Sequence, residues 1–311
     1  MSLRGTVQVH ALSAGHFSLP EDHFVYPCSS PGSRKTVPSL CFLIQYASPL
    51  NGVKTNIVFD LGVRRDPSLY SVPIRQHVAT RQPMSTNPDV VTSLQKGGLS
   101  VHDVHFVVFS HVHWDHIGYP PDFPSSKFIV GHGSIALLSG TSSVSLRGSH
   151  SFFEPDLLPA SRTIELPDPN LALRTTTATP NSLKTTPNWT EWQAIPSLNI
   201  PRALDIFNDG SLYLVDAPGH LPGHTNLLAW AQEGWVYLAG DACHDRRILR
   251  KEKQIGEWRD HEGRGCCIHH DRPKAEETIE RIRGLEAKGV EIIFAHDEEW
   301  EERNPLRFWG T

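Results

Sequence analysis

Short apolar runs separated by turn residues dominate the chain. "TVQVHAL" (6–12) alternates apolar and polar positions, the period of a strand with one covered face. "LCFLIQY" (40–46), "TNIVFDLG" (55–62) and "VHFVVFSH" (104–111) are denser in β-branched and aromatic residues and predict buried strands. "LYLVDAPGH" (212–220), "NLLAWAQ" (226–232), "WVYLAGDA" (235–242) and "EIIFAHD" (291–297) have the same form. Helical periodicity is scarcer. "DRPKAEETIERIRGLEAKG" (271–289) has Pro273 near its start, Ile279, Ile282 and Leu285 on one face, and Gly289 as a stop. "PDVVTSLQKGG" (88–98) predicts a second helix through Val90, Val91 and Leu94. The mixture predicts an α/β (α+β) protein.

The stretch 139–202 breaks this rhythm. It is rich in Ser, Thr and Pro, as a linker would be, yet it carries Phe152, Phe153, Leu157, Leu158, Trp189 and Trp192. Such apolar content predicts an ordered insertion packed on a scaffold. No internal repeat occurs at the period of a known array.

Composition changes the picture only by exclusion. The chain has 311 residues, 39% of them hydrophobic, enough for a large core in one domain spanning 1–311. A net charge of -5 argues against a nucleic-acid partner. No apolar run has the length of a signal peptide or a membrane span, so a cytoplasmic protein without membrane association is expected. Cys28, Cys41, Cys243, Cys266 and Cys267 show no CxxC spacing, which predicts free thiols. Oligomeric state leaves no sequence signal.

The unusual chemistry sits in "SHVHWDHIGY" (110–119), which places His111, His113, Asp115 and His116 just beyond a predicted strand. Imidazole and carboxylate are ligands that zinc accepts, and a spacing of two suits an extended strand end. Three further strands run into ionisable residues: His220 in a Pro-Gly turn, Asp241 after a glycine, and His296 after the last apolar run. Cores disfavour such groups unless they are paired or bound to metal.

The order HxHxDH, then a histidine in PGHxPGH, then the aspartate of GDA, then a late strand-end histidine, resembles the metallo-β-lactamase superfamily. The resemblance runs from about Gln8 to His296 and implies an αββα sandwich: two mixed sheets face to face, helices outside, and two zinc ions at one edge. It implies one metal on His111, His113 and His220, a second on Asp115, His116 and His296, and Asp241 between them. His224 rivals His220 but is expected to support the site from behind.

Such a pair of zinc ions activates a bridging water for attack on a carbonyl, with no Ser or Cys nucleophile required. Cys243 is therefore not expected to act as one. Asp115 could pass the proton to the leaving group. "FDLGVRRDP", "GDACH" and the compact ending "GVEIIFAHDEEWEERNPLRFWGT" are similar to the N-acyl homoserine lactone lactonases. The chain departs from them after His116, where Ile117, Gly118, Tyr119 and two prolines follow, and at His244, where those enzymes carry a tyrosine. His244 is expected to donate to the developing oxyanion and to protonate the leaving group.

The implied substrate is a small molecule with a lactone or lactam carbonyl. A thioester is the alternative, and a non-catalytic metal-binding protein is a third reading that the complete ligand set opposes. The insertion 139–202 is expected to cap the site, with Trp189, Trp192 and Phe152 as candidate substrate contacts. His261, His269 and His270 in "GEWRDHEGRGCCIHHDRP" (256–273) could form an extra metal site, but with no partner cluster in the sequence they are expected to be surface or pocket-lining groups.

Overall fold

The computed structural model describes residues 4–28, 30, 32–144, 146, 152–171, 187–260 and 262–311. Twelve strands form the scaffold. They are β1 (Thr6–Pro20), β2 (Arg34–Ala47), β3 (Lys54–Phe59), β4 (Phe106–Val108), β5 (Lys127–Val130), β6 (Thr163–Glu165), β7 (Trp192–Ile195), β8 (Ile200–Asp205), β9 (Leu212–Asp216), β10 (Thr225–Ala231), β11 (Gly234–Leu238) and β12 (Glu291–Ile293). One half-sheet runs β6-β5-β4-β3-β2-β1 and the other β12-β11-β10-β9-β8-β7. A single parallel pair, Val7 opposite Ala231, joins them. Both halves are mixed: β3 to β6 are mutually parallel, as are β11 and β12, while the remaining neighbours are antiparallel.

The alternation of side chains explains the layers. Ile57, Phe59 and Val108 from one half meet Leu204, Leu214, Leu227 and Leu238 from the other in a shared interior. Their sequence neighbours Val58, Val107 and Phe109 point outward and are covered by Val90 and Leu94 of a helix at Val90–Lys96. On the opposite outer face, Val215, Leu228 and Ile292 are covered by Ala275, Ile279, Ile282 and Leu285 of the helix Arg272–Glu286. Both predicted helices therefore form where their apolar stripes fall, each opened by an aspartate cap, Asp89 and Asp271. The result is a helix–sheet–sheet–helix stack, the αββα arrangement.

The Ser/Thr/Pro-rich stretch contributes to the scaffold itself. β6 and β7, the outermost strands of the two halves, both lie within it. Residues 145, 147–151 and 172–186 of this stretch lie outside the described residues, as does His261. Trp189 and Trp192 do not face the strand-end histidines. They are 8% and 1% exposed and pack into the interior between the half-sheets, with the Trp192 indole donating to the Pro167 carbonyl at 2.9 Å. The reason is period: Trp192 begins a strand whose inward positions must be apolar. Phe153 is the aromatic residue of the stretch that approaches a strand-end histidine, while Phe152 approaches His77. Phe153 lies 6.3 Å from the His113 ring and Phe152 lies 6.0 Å from the His77 ring.

All five cysteines are free thiols. No helix among the described residues is long and apolar enough to cross a membrane.

A packing role for Trp192 has a measurable consequence. Trp192→Ala should lower unfolding stability by about 3–5 kcal/mol through the cavity it leaves. Trp192→Phe should cost less, and neither should change the relative rates on different substrates. Denaturant unfolding and a substrate comparison check this; a change in preference with little loss of stability would reassign the residue to the site.

Candidate metal centre

The parallel strands end together, and the ionisable residues sit at those ends. β3 runs into Asp60, β4 into Ser110 and His111, β11 into Asp241, and β12 into His296. Backbone hydrogen bonds hold the ends together. Thr225 donates to Ser110 at 2.8 Å and Leu40 to Ala295 at 2.9 Å across the two halves, and Ala295 donates to Gly240 at 3.0 Å within one of them. After the extended stretch 109–113, the single helical turn Trp114–Ile117 swings Asp115 and His116 round toward the same point. Gly118 closes that turn at φ 50°, and a Cβ there would come within 2.6 Å of Leu61. The local fold therefore requires glycine at this position.

Seven residues singled out in the sequence converge, all buried: His111, His113, Asp115, His116, His220, Asp241 and His296. They form two triads. Nε2 of His111, Nδ1 of His113 and Nε2 of His220 lie 2.8, 3.2 and 3.1 Å from one another. For comparison, ligands about 2.0–2.1 Å from a tetrahedral zinc stand about 3.3 Å apart. In the second triad, His116 Nε2 is 3.9 Å and His296 Nε2 is 3.5 Å from Asp115 Oδ2. Asp241 sits between them with its two oxygens divided. Oδ2 lies 3.8 Å from His111 and 3.5 Å from His220, while Oδ1 lies 3.2 Å from both His116 and His296.

The hydrogen bonds behind the triads fix which nitrogen faces inward. The Ser110 hydroxyl donates to Asp60 Oδ2 at 2.7 Å, so His111 Nδ1 donates to that hydroxyl at 3.0 Å and keeps its Nε2 lone pair for the centre. His116 Nδ1 donates to Asp60 Oδ2 at 2.9 Å, and His296 Nδ1 donates to the Pro38 carbonyl at 2.8 Å. Outer partners of this kind orient metal-ligating imidazoles. The arrangement passes a direct test of fit: His116 Nε2 and Asp241 Oδ1 are buried and 3.2 Å apart, yet neither has a partner in hydrogen-bonding geometry. Buried polar atoms left in that condition are costly unless something else binds them. The residues could hold two metal ions.

Electrostatics sort the groups in the same way. Burial pushes the His111 and His220 pKa values well below the usual value, aided by neighbouring imidazoles, so both are neutral. Burial opposes the ionised forms of Asp115 and Asp241, but the surrounding histidines outweigh it; Asp115 falls to about 2 and Asp241 falls well below the normal carboxylate range. In the protein alone, His116 and His296 move up despite burial, His296 to about 10, because Asp241 and a second carboxylate face each of them. A metal ion bound there would take the place of those protons.

His224 lies apart from both triads. Its Nε2 accepts the Asp241 backbone N–H at 3.2 Å, and burial lowers its pKa to about 3, which keeps it a neutral acceptor. Cys243 is unsuited to nucleophilic attack. Its thiol donates to the Asp245 carbonyl at 3.3 Å and is pushed up to about 12 by burial. His244 lines the small cavity in front of the centre, with Nε2 3.0 Å from Asp241 Oδ2. His269 is also buried here, its ring 5.3 Å from both His220 and His244, because His270 and Asp271 dock on the carbonyls of His220 and Gly219. His270 faces away, toward a separate cavity behind the His220 turn.

Two contributors escape a reading of the sequence. Asp60 organises both His116 and Ser110 and holds a left-handed backbone at φ 62°, a strained conformation concentrated at functional sites. Its only signal is an acid after an apolar run and just before a glycine. Arg81 lines the cavity with no sequence cue at all.

No family model matches the chain. It is 29% identical over 94% of its length to the cytochrome P450 monooxygenase mpaDE of Penicillium roqueforti, and spans about a third (34%) of that protein. It is 26% identical to the gamma-lactamase FDB1 of Fusarium pseudograminearum over 78% of this chain and 54% of the relative. Among solved structures, an N-acyl homoserine lactone hydrolase with its product N-hexanoyl-L-homoserine bound at the catalytic metal centre superposes with a TM-score of 0.62. That match covers 97% of each chain at 18% identity. With the two half-sheets, the helices outside them and the strand-end histidines in place, the chain is a protein of the metallo-β-lactamase fold.

Proposed function

We propose that the chain is a two-metal hydrolase that opens a cyclic ester or amide. The observation that carries this reading is the division of the Asp241 carboxylate, one oxygen toward each triad. A carboxylate placed so can serve two ions at once. The similarity to a gamma-lactamase and to a lactone hydrolase supports a ring-opening substrate, as does a cavity too confined for a polymer.

Two zinc ions held by His111, His113 and His220 and by Asp115, His116 and His296, with Asp241 shared, would supply a nucleophile from water at neutral pH and a Lewis acid for the carbonyl. The protein supplies the rest. Asp115, kept ionised, lines the cavity and can carry a proton from the attacking water to the leaving atom. His244 presents an imidazole beside Asp241 from which the developing oxyanion can take a hydrogen bond. Phe17, Phe24 and Trp114 give the cavity an apolar wall. At the rim, the Phe152–Glu154 segment is fixed by the ion pair of Glu154 with buried Arg64 and by the Ser71 N–H donating to Glu154 at 2.7 Å. This part of the stretch 139–202 caps the site and limits substrate size.

The reading is tested by hydrolysis of lactones, lactams and thioesters with metal-quantified protein. Two zinc ions per chain and ring-opening of a lactone or lactam are expected. One ion or none after purification without chelator, or activity confined to thioesters, would contradict it.

Asp241→Ala should strip metal from both triads and abolish turnover. His224→Ala should retain most of the metal, because it removes only a hydrogen bond to the Asp241 backbone. Elemental analysis of the two variants decides; metal loss confined to His224→Ala would reverse the assignment.

His244→Ala should keep both metals and lose about 10²-fold in kcat, the usual size of a transition-state contact. Loss of metal instead would make His244 a ligand, and unchanged kcat would make it a bystander.

A further inference from the structure

The cavity in front of the candidate centre is lined by two chemically different groups of residues. His113, Asp115, Asp241, His244 and His296 form one. Arg81, with His77 beside it, belongs to the other, and Phe17, Leu19, Phe24, Trp114 and Ile268 supply apolar wall. Arg81 is only 7% exposed. Its Nε donates to His77 Nε2 at 3.2 Å. Among the described residues, neither of its terminal nitrogens donates to a carboxylate or carbonyl, and it forms no ion pair. The nearby Arg34 adds positive charge and is itself held by the carbonyls of Ser18 and Thr80. The acid that acts on Arg81 is Asp115, whose carboxylate is turned to His116 and His296.

A largely buried guanidinium whose terminal donors meet no protein acceptor is costly unless water or a ligand meets them. Burial lowers its pKa to about 10, which leaves it charged at neutral pH. The backbone that carries it is fixed, since the Ser18 N–H donates to the Arg81 carbonyl at 2.9 Å and the Arg81 N–H donates to the Val78 carbonyl at 2.9 Å. A fork of two terminal N–H groups fits the two oxygens of a carboxylate. The planar pair of carboxylate oxygens matches that fork, and the apolar walls of Phe17, Phe24 and Trp114 disfavour a second charge, so a carboxylate is a better match than a phosphate dianion.

We propose that Arg81 anchors a carboxylate on the substrate, so that the cyclic ester or amide opened at the metal centre carries a free carboxylate group. This rests on the hydrolase reading for the reacting end and on the cavity geometry alone for the anchor. His77 is a positioning residue, because it fixes the guanidinium through Nε.

The test separates the two claims. Binding is measured first, by calorimetric titration of metal-loaded protein with benzoate and with benzamide. Benzoate should bind and benzamide should bind at least about tenfold more weakly, as expected for a charge-assisted pair. Arg81→Gln should erase that difference at unchanged metal content, and Arg81→Lys should keep part of it. Equal binding of the two probes by the wild-type protein would overturn the anchor, and that measurement needs no variant to fold. So would a difference that survives in Arg81→Gln, since the carboxylate would then be held by the metals. Hydrolysis is measured second, with a lactone bearing a free carboxylate and its primary amide. The wild type should favour the acid through KM, and Arg81→Gln should collapse that preference. Hydrolysis of neither compound, with benzoate binding intact, would sink the hydrolase reading and leave the anchor standing.

Discussion

The placement of one carboxylate organises this molecule's chemistry. Asp241 offers Oδ1 to His116 and His296 and Oδ2 to His111 and His220. That division is possible only because the backbone at Asp241 is fixed. Gly240 holds φ 48°, where a Cβ would meet Ser110 at 2.9 Å and His224 at 3.1 Å, and His224 receives the next N–H. A side chain at position 240 would press on Ser110 and His224, the groups that hold His111 and the Asp241 backbone.

The scaffold serves the same end. Each half-sheet brings part of the constellation, and the interior between them is filled by Ile57, Phe59, Leu204 and Leu214 from both sides. The join is narrow, one strand pair at Val7 and Ala231 among the described residues, so the strand ends depend on further backbone bonds, Thr225 to Ser110 and Leu40 to Ala295. Asp60 adds a second tie. It accepts from Ser110 and from His116, coupling the first triad's His111 to the second triad through one buried carboxylate. Mutual rigidity of this kind is what preorganised chemistry needs.

The strand-end residues were legible because they are anomalies. Apolar runs that stop at His111, His220, Asp241 and His296 have no packing reason to do so, and the regular spacing of those runs made the layers legible too. The spacing of His111 and His113 also announced an extended end before the helical turn. Other features had no such contrast. Trp189 and Trp192 looked like substrate contacts because they lie in a polar stretch, yet strand alternation turns them into the interior. Arg81 follows a helix in an ordinary polar sequence, and only the fold carries it into the cavity. His269 was one of three histidines in a loop, and it differs from His270 only by the direction the docked backbone gives it. Local pattern reports burial and period well; it does not report which distant segments meet.

X-ray absorption by the zinc-loaded protein probes the shared carboxylate most directly. The account predicts a shell of nitrogen and oxygen at about 2.0–2.1 Å, with imidazole scattering behind it, and a zinc–zinc vector of about 3.5–4 Å. A sulfur shell at about 2.3 Å would place the metal on one of the cysteines. Either that result or the absence of any metal–metal vector in fully loaded protein would contradict a centre built around Asp241.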